Sequence, residues 1–241
     1  MIFVFAVIAA AYSCRMLAEF DIGGVYPSYI RAALYLLLFS LWGFSIDRRI
    51  IHKQTQHYLR LTALLMLIWL ILRTLKYEFV TDTTAARYIW YLYYLPMLFI
   101  PLLSVYIALS LDKYDNRLTG KSVALAIIPT ILFAVVMTND LHQQVFAYEG
   151  GSPEFSGKYS HRLMYFVCLG WMIACMAFSL VRLLKKSRVT GGKKRIVPFI
   201  MGCVTVLYGV LYLSGIPAVR WWLGDMNVMF CLLYASIYES C

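Results

Sequence analysis

Asn139, Asp140 and His142 follow directly on an apolar stretch, in the run Met137-Thr138-Asn139-Asp140-Leu141-His142. An amide, a carboxylate and an imidazole this close together can accept, donate and exchange protons. Two kinds of work suit them. Asn139 or Asp140 caps a short following helix by accepting its free backbone N–H groups. Alternatively the group meets the polar atoms of a small ligand, with His142 supplying the side-chain type that changes charge near neutral pH. A second group is Leu72-Arg73-Thr74-Leu75-Lys76-Tyr77-Glu78. There Arg73 either snorkels outward with Lys76 or turns inward to bind an anionic ligand group or a carboxylate of Glu19, Asp140 or Asp225. A third is Gly224-Asp225-Met226-Asn227. Asp225 reads as an N-cap or first-turn carboxylate, and Asn227, which lies deeper, can bond a neighbouring helix for about 0.6–2 kcal/mol. The fourth is aromatic: Arg87-Tyr88-Ile89-Trp90-Tyr91-Leu92-Tyr93-Tyr94-Leu95-Pro96. Its rings form a belt at a membrane interface, or Tyr91 and Tyr94 line a pocket and offer hydroxyls to a small molecule.

Other chemistry is excluded by what these residues lack. The histidines are His52, His57, His142 and His161, and the loop pattern below puts two on each side of a membrane, which argues against a shared metal. The six cysteines lie in or beside apolar stretches with no CxxC pair, so they read as small apolar packers and give neither a disulfide framework nor a zinc site. Thr190-Gly-Gly-Lys-Lys lacks the first glycine and the preceding strand of a phosphate loop. No HExxH, GxSxG or kinase signature is present. The residues imply no metal, no cofactor and no catalysis by this chain alone.

The elements that position these groups are membrane helices. The chain is 62% hydrophobic and 14% charged, where a soluble domain carries about a quarter charged residues. Its apolar stretches approach the length that crosses about 30 Å of hydrocarbon at about 1.5 Å per residue. Backbone groups in lipid must be satisfied within each stretch, so the stretches are helices. The fold class is therefore all-α, a polytopic transmembrane bundle of seven or eight helices. Eight spans are predicted: Met1–Ala18, Ser28–Ile46, Tyr58–Leu75, Tyr88–Leu111, Val123–Thr138, Leu163–Leu184, Ile196–Leu213 and Asp225–Tyr238. Pro96, Pro101, Pro129 and Pro198 remove backbone donors and predict kinks. The first span lacks a basic leading region and a small-residue cleavage site, which favours a retained helix over a signal peptide. If it is removed, seven spans remain.

Orientation follows from Lys and Arg. Fourteen of the 22 fall in three loops, Asp47–Arg60, Asp112–Lys121 and Arg182–Arg195, which follow spans two, four and six. Basic short loops stay cytoplasmic, so both termini are expected in the cytoplasm, anchored by Arg48, Arg49, Lys185, Lys186, Arg188, Lys193, Lys194 and Arg195. The net charge of +10 is accounted for by these loops together with the C-terminal Glu239 and needs no nucleic-acid partner. Attraction of the Lys185–Arg195 segment to anionic lipid is generic.

The aromatic–proline run from Arg87, the Thr-Asn-Asp-Leu-His run at 138–142 and Asp225-Met226 resemble the seven-helix sensor region at the N-terminus of certain bacterial histidine kinases, also found ahead of diguanylate cyclase domains. The resemblance runs from about Tyr29 to Cys241. It implies an extra N-terminal helix at 1–24 and a seven-helix sensor domain at 25–241, in a bacterial inner membrane. It further implies an input module without its own catalytic domain. The implied partners are the bilayer, a small ligand or stimulus, a second copy, and a cytoplasmic effector domain or protein. Asn139, Asp140, His142 and Asp225 are the outer-face residues it singles out. A small secondary transporter is the competing function. It would need paired interrupted helices around a midplane site, and few ionisable residues lie at midspan.

Overall fold

The computed structural model describes residues 2–24, 26–49, 53–110, 124–148 and 159–187, with residues 203, 207 and 211 standing singly in helix. The chain forms two compact units, Met1–Ile51 with Leu183–Cys241, and His52–Arg182.

In the first unit α1 (Ile2–Glu19) and α2 (Tyr26–Arg49) pack against each other. The turn between them needs backbone that only glycine adopts freely: Gly23 and Gly24 sit at φ +88° and +60°. Glu19 is paired with Arg15 one turn back at 3.8 Å. Arg48 and Arg49 fall in the last turn of α2.

The second unit begins with α3 (Lys53–Thr74), which widens into a π-helical turn at Leu75–Phe79. Next come α4 (Thr83–Leu92), α5 (Tyr94–Ser110), α6 (Ile127–Met137) and a single turn, α7 (Asn139–His142). A two-stranded antiparallel hairpin pairs β1 (Phe146–Tyr148) with β2 (Tyr159–His161), and α8 (Leu163–Ser187) follows. Among the described residues, Tyr26–Ile46, Lys53–Phe79, Thr83–Ser110 and Leu163–Arg182 are long and apolar enough to cross a membrane, while Ile127–Met137 is a shorter apolar helix.

The boundaries depart from the hydropathy reading for local reasons. α3 starts at Lys53, ahead of the predicted Tyr58, because fully buried Thr55 meets the Ser110 hydroxyl at 3.1 Å and holds that polar first turn in the bundle. α4 starts at Thr83 because the Asp82 carboxylate accepts the Ala85 N–H at 2.7 Å, an N-cap. The predicted fourth span is two helices that meet at Tyr93. Pro96 cannot donate to the carbonyl four residues back, so the ladder breaks there, whereas Pro101 is accommodated inside α5. Within the predicted fifth span, Val123–Thr138, a turn at residues 125–126 precedes α6. The hairpin lies between the predicted fifth and sixth spans. Spans seven and eight, with Pro198, Arg188, Lys193, Lys194, Arg195, Asp225 and Asn227, lie outside the described residues.

α8 docks on α5 through the Trp171 indole N–H, which donates to the Leu98 carbonyl at 3.2 Å, and through the Ser104–Ser179 hydroxyl pair at 3.0 Å. The core at the hairpin end gathers Tyr91, Tyr94 and Leu98 with Leu132, Val136 and the hairpin's Phe146.

Candidate functional site

One turn of α4 and one turn of α7 bring together the side chains that form the site. On α4, Arg87 and Tyr91 are four residues apart and so stand on one face. On α7, Asn139 and Asp140 are adjacent, and the turn is closed by Gln143 in the left-handed conformation (φ 48°).

The Arg87 guanidinium donates from Nη2 to Asp140 Oδ2 at 2.9 Å, with the two side chains 7% and 15% exposed. Asp140 Oδ1 accepts the Tyr91 hydroxyl at 2.7 Å. That hydroxyl also meets the Tyr148 hydroxyl of β1 and accepts the Asn139 amide N–H at 3.2 Å. A phenol has one proton, and the carboxylate is the stronger acceptor. Tyr91 therefore donates to Asp140, and Tyr148 donates to Tyr91. The result is a directed relay, Tyr148 to Tyr91 to Asp140, ending on the Arg87 cation. Each bond polarises the next in a medium of low dielectric. Burial pushes the Tyr148 phenol above its ordinary value, which keeps its donor proton in place.

Asn139 is fully buried and uses all four of its hydrogen-bonding sites. Its Oδ1 accepts the backbone N–H groups of Val145 and Phe146 at 2.9 and 3.0 Å. Its Nδ2 donates to the Phe146 carbonyl at 3.0 Å and to Tyr91. The side chain thus imitates a strand edge and ties β1 to the network.

The residues singled out in the sequence divide clearly. Tyr91, Asn139 and Asp140 converge. The capping role for Asn139 or Asp140 is corrected: the N-cap position of α7 is Thr138, whose hydroxyl bonds back to Ala134 at 2.9 Å, and both polar side chains are spent on tertiary partners. His142 is held elsewhere, with Nε2 3.1 Å from the Val135 carbonyl and Nδ1 accepting the Gln144 N–H at 3.0 Å, so it closes the turn. Tyr94 packs in the core, its ring 5.9 Å from Phe146. The belt reading fails for Tyr91 and Tyr94, which are 0% and 4% exposed, because their rings are covered by the hairpin and neighbouring helices. Arg73 lies over the Tyr77 ring at 5.8 Å, and the carboxylate proposed for it, Asp140, is taken by Arg87. Lys76 extends beside the rings of Trp90 and Tyr93, 5.7 Å from each, instead of leading away from the protein.

Arg87 and Tyr148 were missed. Arg87 was legible in principle, as a cation four residues ahead of a tyrosine in a run of rings. Tyr148 carried no signal, because a three-residue strand has too little alternation to stand out from a polar loop. Among the described residues no three His, Cys, Asp or Glu side chains lie where they could hold a metal ion.

Residues 29–238 match the family model of the N-terminal 7TM region of histidine kinase. No curated protein and no solved structure matches the chain.

Proposed function

We propose that this chain, which belongs to the family of N-terminal seven-transmembrane regions of histidine kinases, receives its stimulus at the Arg87–Asp140 network on the outer face of a bacterial inner membrane. As a member of that family it is a membrane sensory input module with a polytopic helical fold. The observation that supports this location for the input is the buried ion pair itself. Ionisable groups at the edge of a membrane bundle are costly to bury and are retained where they do work.

The network is also connected to a helix that crosses the bilayer. The Arg162 N–H donates to the Val145 carbonyl at 3.0 Å and the Met164 N–H to the Gln144 carbonyl at 3.2 Å, so the first turn of α8 hangs on the same loop that Asn139 holds. The His161 and Tyr165 rings lie 3.9 Å apart across this junction. From there α8 runs to the basic Lys185-Lys186 end. A change in the Asn139–Tyr148 bonds therefore pulls on the start of α8 and reaches the cytoplasmic face through it. The division into a helix at 1–24 and a sensor at 25–241, a second copy as partner, and a cytoplasmic effector as the receiver belong to the same proposal.

The test joins a histidine-kinase reporter after Cys241. Asp140→Asn and Tyr148→Phe should each change reporter output while membrane insertion is retained. If neither these nor other network substitutions alter output in inserted protein, the site is not the input.

A further inference from the structure

We infer that the Arg87–Asp140 site takes a small uncharged molecule carrying a carbonyl oxygen on an apolar, ring-sized body; this ligand class rests on the sensory reading above. A guanidinium presents N–H donors in a planar fork, and a carboxylate normally fills two of them at once. Here it fills one. Asp140 gives Oδ2 to Nη2, and its Oδ1 is held by the Tyr91 hydroxyl. Asp140 therefore cannot swing to complete the fork without breaking the relay. The Nε–H of Arg87 is buried and meets no acceptor, an arrangement that costs the full desolvation of that donor. The site is one acceptor short.

Charge decides which acceptor fits. The Arg87–Asp140 pair is already neutral, and a second carboxylate beside Asp140 would bury an uncompensated negative charge. A carbonyl oxygen satisfies Nε without adding charge. The surroundings suit the rest of such a molecule. The guanidinium lies 5.7 Å from the centre of the Tyr88 ring, and that residue is 39% exposed, so its ring offers an accessible surface against which an apolar body can pack. Tyr88 in turn meets Tyr91 edge-on at 5.9 Å, which continues the aromatic wall to the relay.

Benzamide, benzoate and toluene have nearly the same shape and separate the possibilities: neutral carbonyl, anion, and no acceptor. The purified full chain in lipid nanodiscs, with arginine labelled at Nε, is titrated with each. Benzamide should raise the thermal midpoint and move one Arg Nε–H resonance, while benzoate and toluene do neither. Arg87→Lys keeps the charge opposite Asp140 and removes Nε, so it should weaken benzamide about tenfold, the loss of one hydrogen bond to a charged group. Benzoate binding as tightly as benzamide overturns the uncharged class. Equal benzamide binding by Arg87→Lys, or an Nε–H that reports water only in the presence of benzamide, overturns the site. If Arg87→Lys fails to fold, the wild-type resonance decides alone. Reporter output that responds to Asp140→Asn without any benzamide effect leaves the sensory reading standing and removes this ligand class; if both are silent, both fall.

Discussion

Arg87 and Asp140 are joined at a single carboxylate oxygen, at 2.9 Å, while Tyr91 occupies the other. Breaking this pair leaves a buried charge without its counterion, so Asp140→Asn should destabilise the unit by about 3–5 kcal/mol. Replacing both partners with apolar residues, Arg87→Met with Asp140→Leu, should cost less than either single change, because no charge is left stranded. Thermal unfolding of the four proteins in one detergent checks the order. A double variant worse than both singles would show that the pair does more than compensate its own burial.

The relay predicts an order for its hydroxyls. Tyr91→Phe removes a group bonded to three partners, and Tyr148→Phe removes only a terminal donor. With about 1 kcal/mol for a typical bond and more where a charged partner is stranded, Tyr148→Phe should cost about 1 kcal/mol and Tyr91→Phe at least twice that. Denaturation midpoints would reveal a reversed order.

Tyr148 also sets a pH dependence. Its phenol is held above its ordinary value by burial, so the folded chain keeps that proton where the unfolded chain has released it. The stability this contributes is intact below about pH 10 and is lost as the pH climbs beyond it. Unfolding followed from pH 8 upward should fall more steeply for the native chain than for Tyr148→Phe; parallel curves would remove Tyr148 from the titration.

Much of this arrangement was legible and some was not. Hydropathy marks four of the described helices as long enough to cross a membrane, because a span is a long averaged signal. The Asp82 cap and the Pro96 break move boundaries by a few residues, and both are local signals that a run of apolar residues hides. Asn139 and Asp140 stood out as polar groups after an apolar helix. Their partners did not, since Asn139 bonds Phe146 across a turn of no fixed period and Asp140 bonds a helix far away in the chain. Tertiary pairing overrode the capping chemistry that these two residue types favour locally.

Asn139 gives the prediction closest to the coupling. Asn139→Asp keeps the acceptor for the Val145 and Phe146 amides but loses both donated bonds and sets a second carboxylate beside Asp140. The hairpin should loosen, with faster hydrogen exchange at Val145, Phe146 and Arg162 and a loss of about 2 kcal/mol or more. Unchanged exchange at Arg162 would separate the hairpin from α8.

Orientation has its own check. An amine reagent that cannot cross membranes, applied to intact cells, should leave Lys193 unmodified and reach it only after the membrane is opened. Modification from outside would invert the arrangement and move the network to the cytoplasm.

The wide turn at the end of α3 is closed by the Val80 N–H on the Leu75 carbonyl at 3.0 Å, a loop one residue longer than an α-turn. One surplus residue rotates everything beyond it by about 100°. The corner where α3 hands over to α4 thus works like a clutch with a spare tooth. Deleting a single position between 75 and 79 should let the chain re-engage as ordinary α-helix and re-clock Lys76 relative to Trp90 and Tyr93, with the spans on either side left uncut.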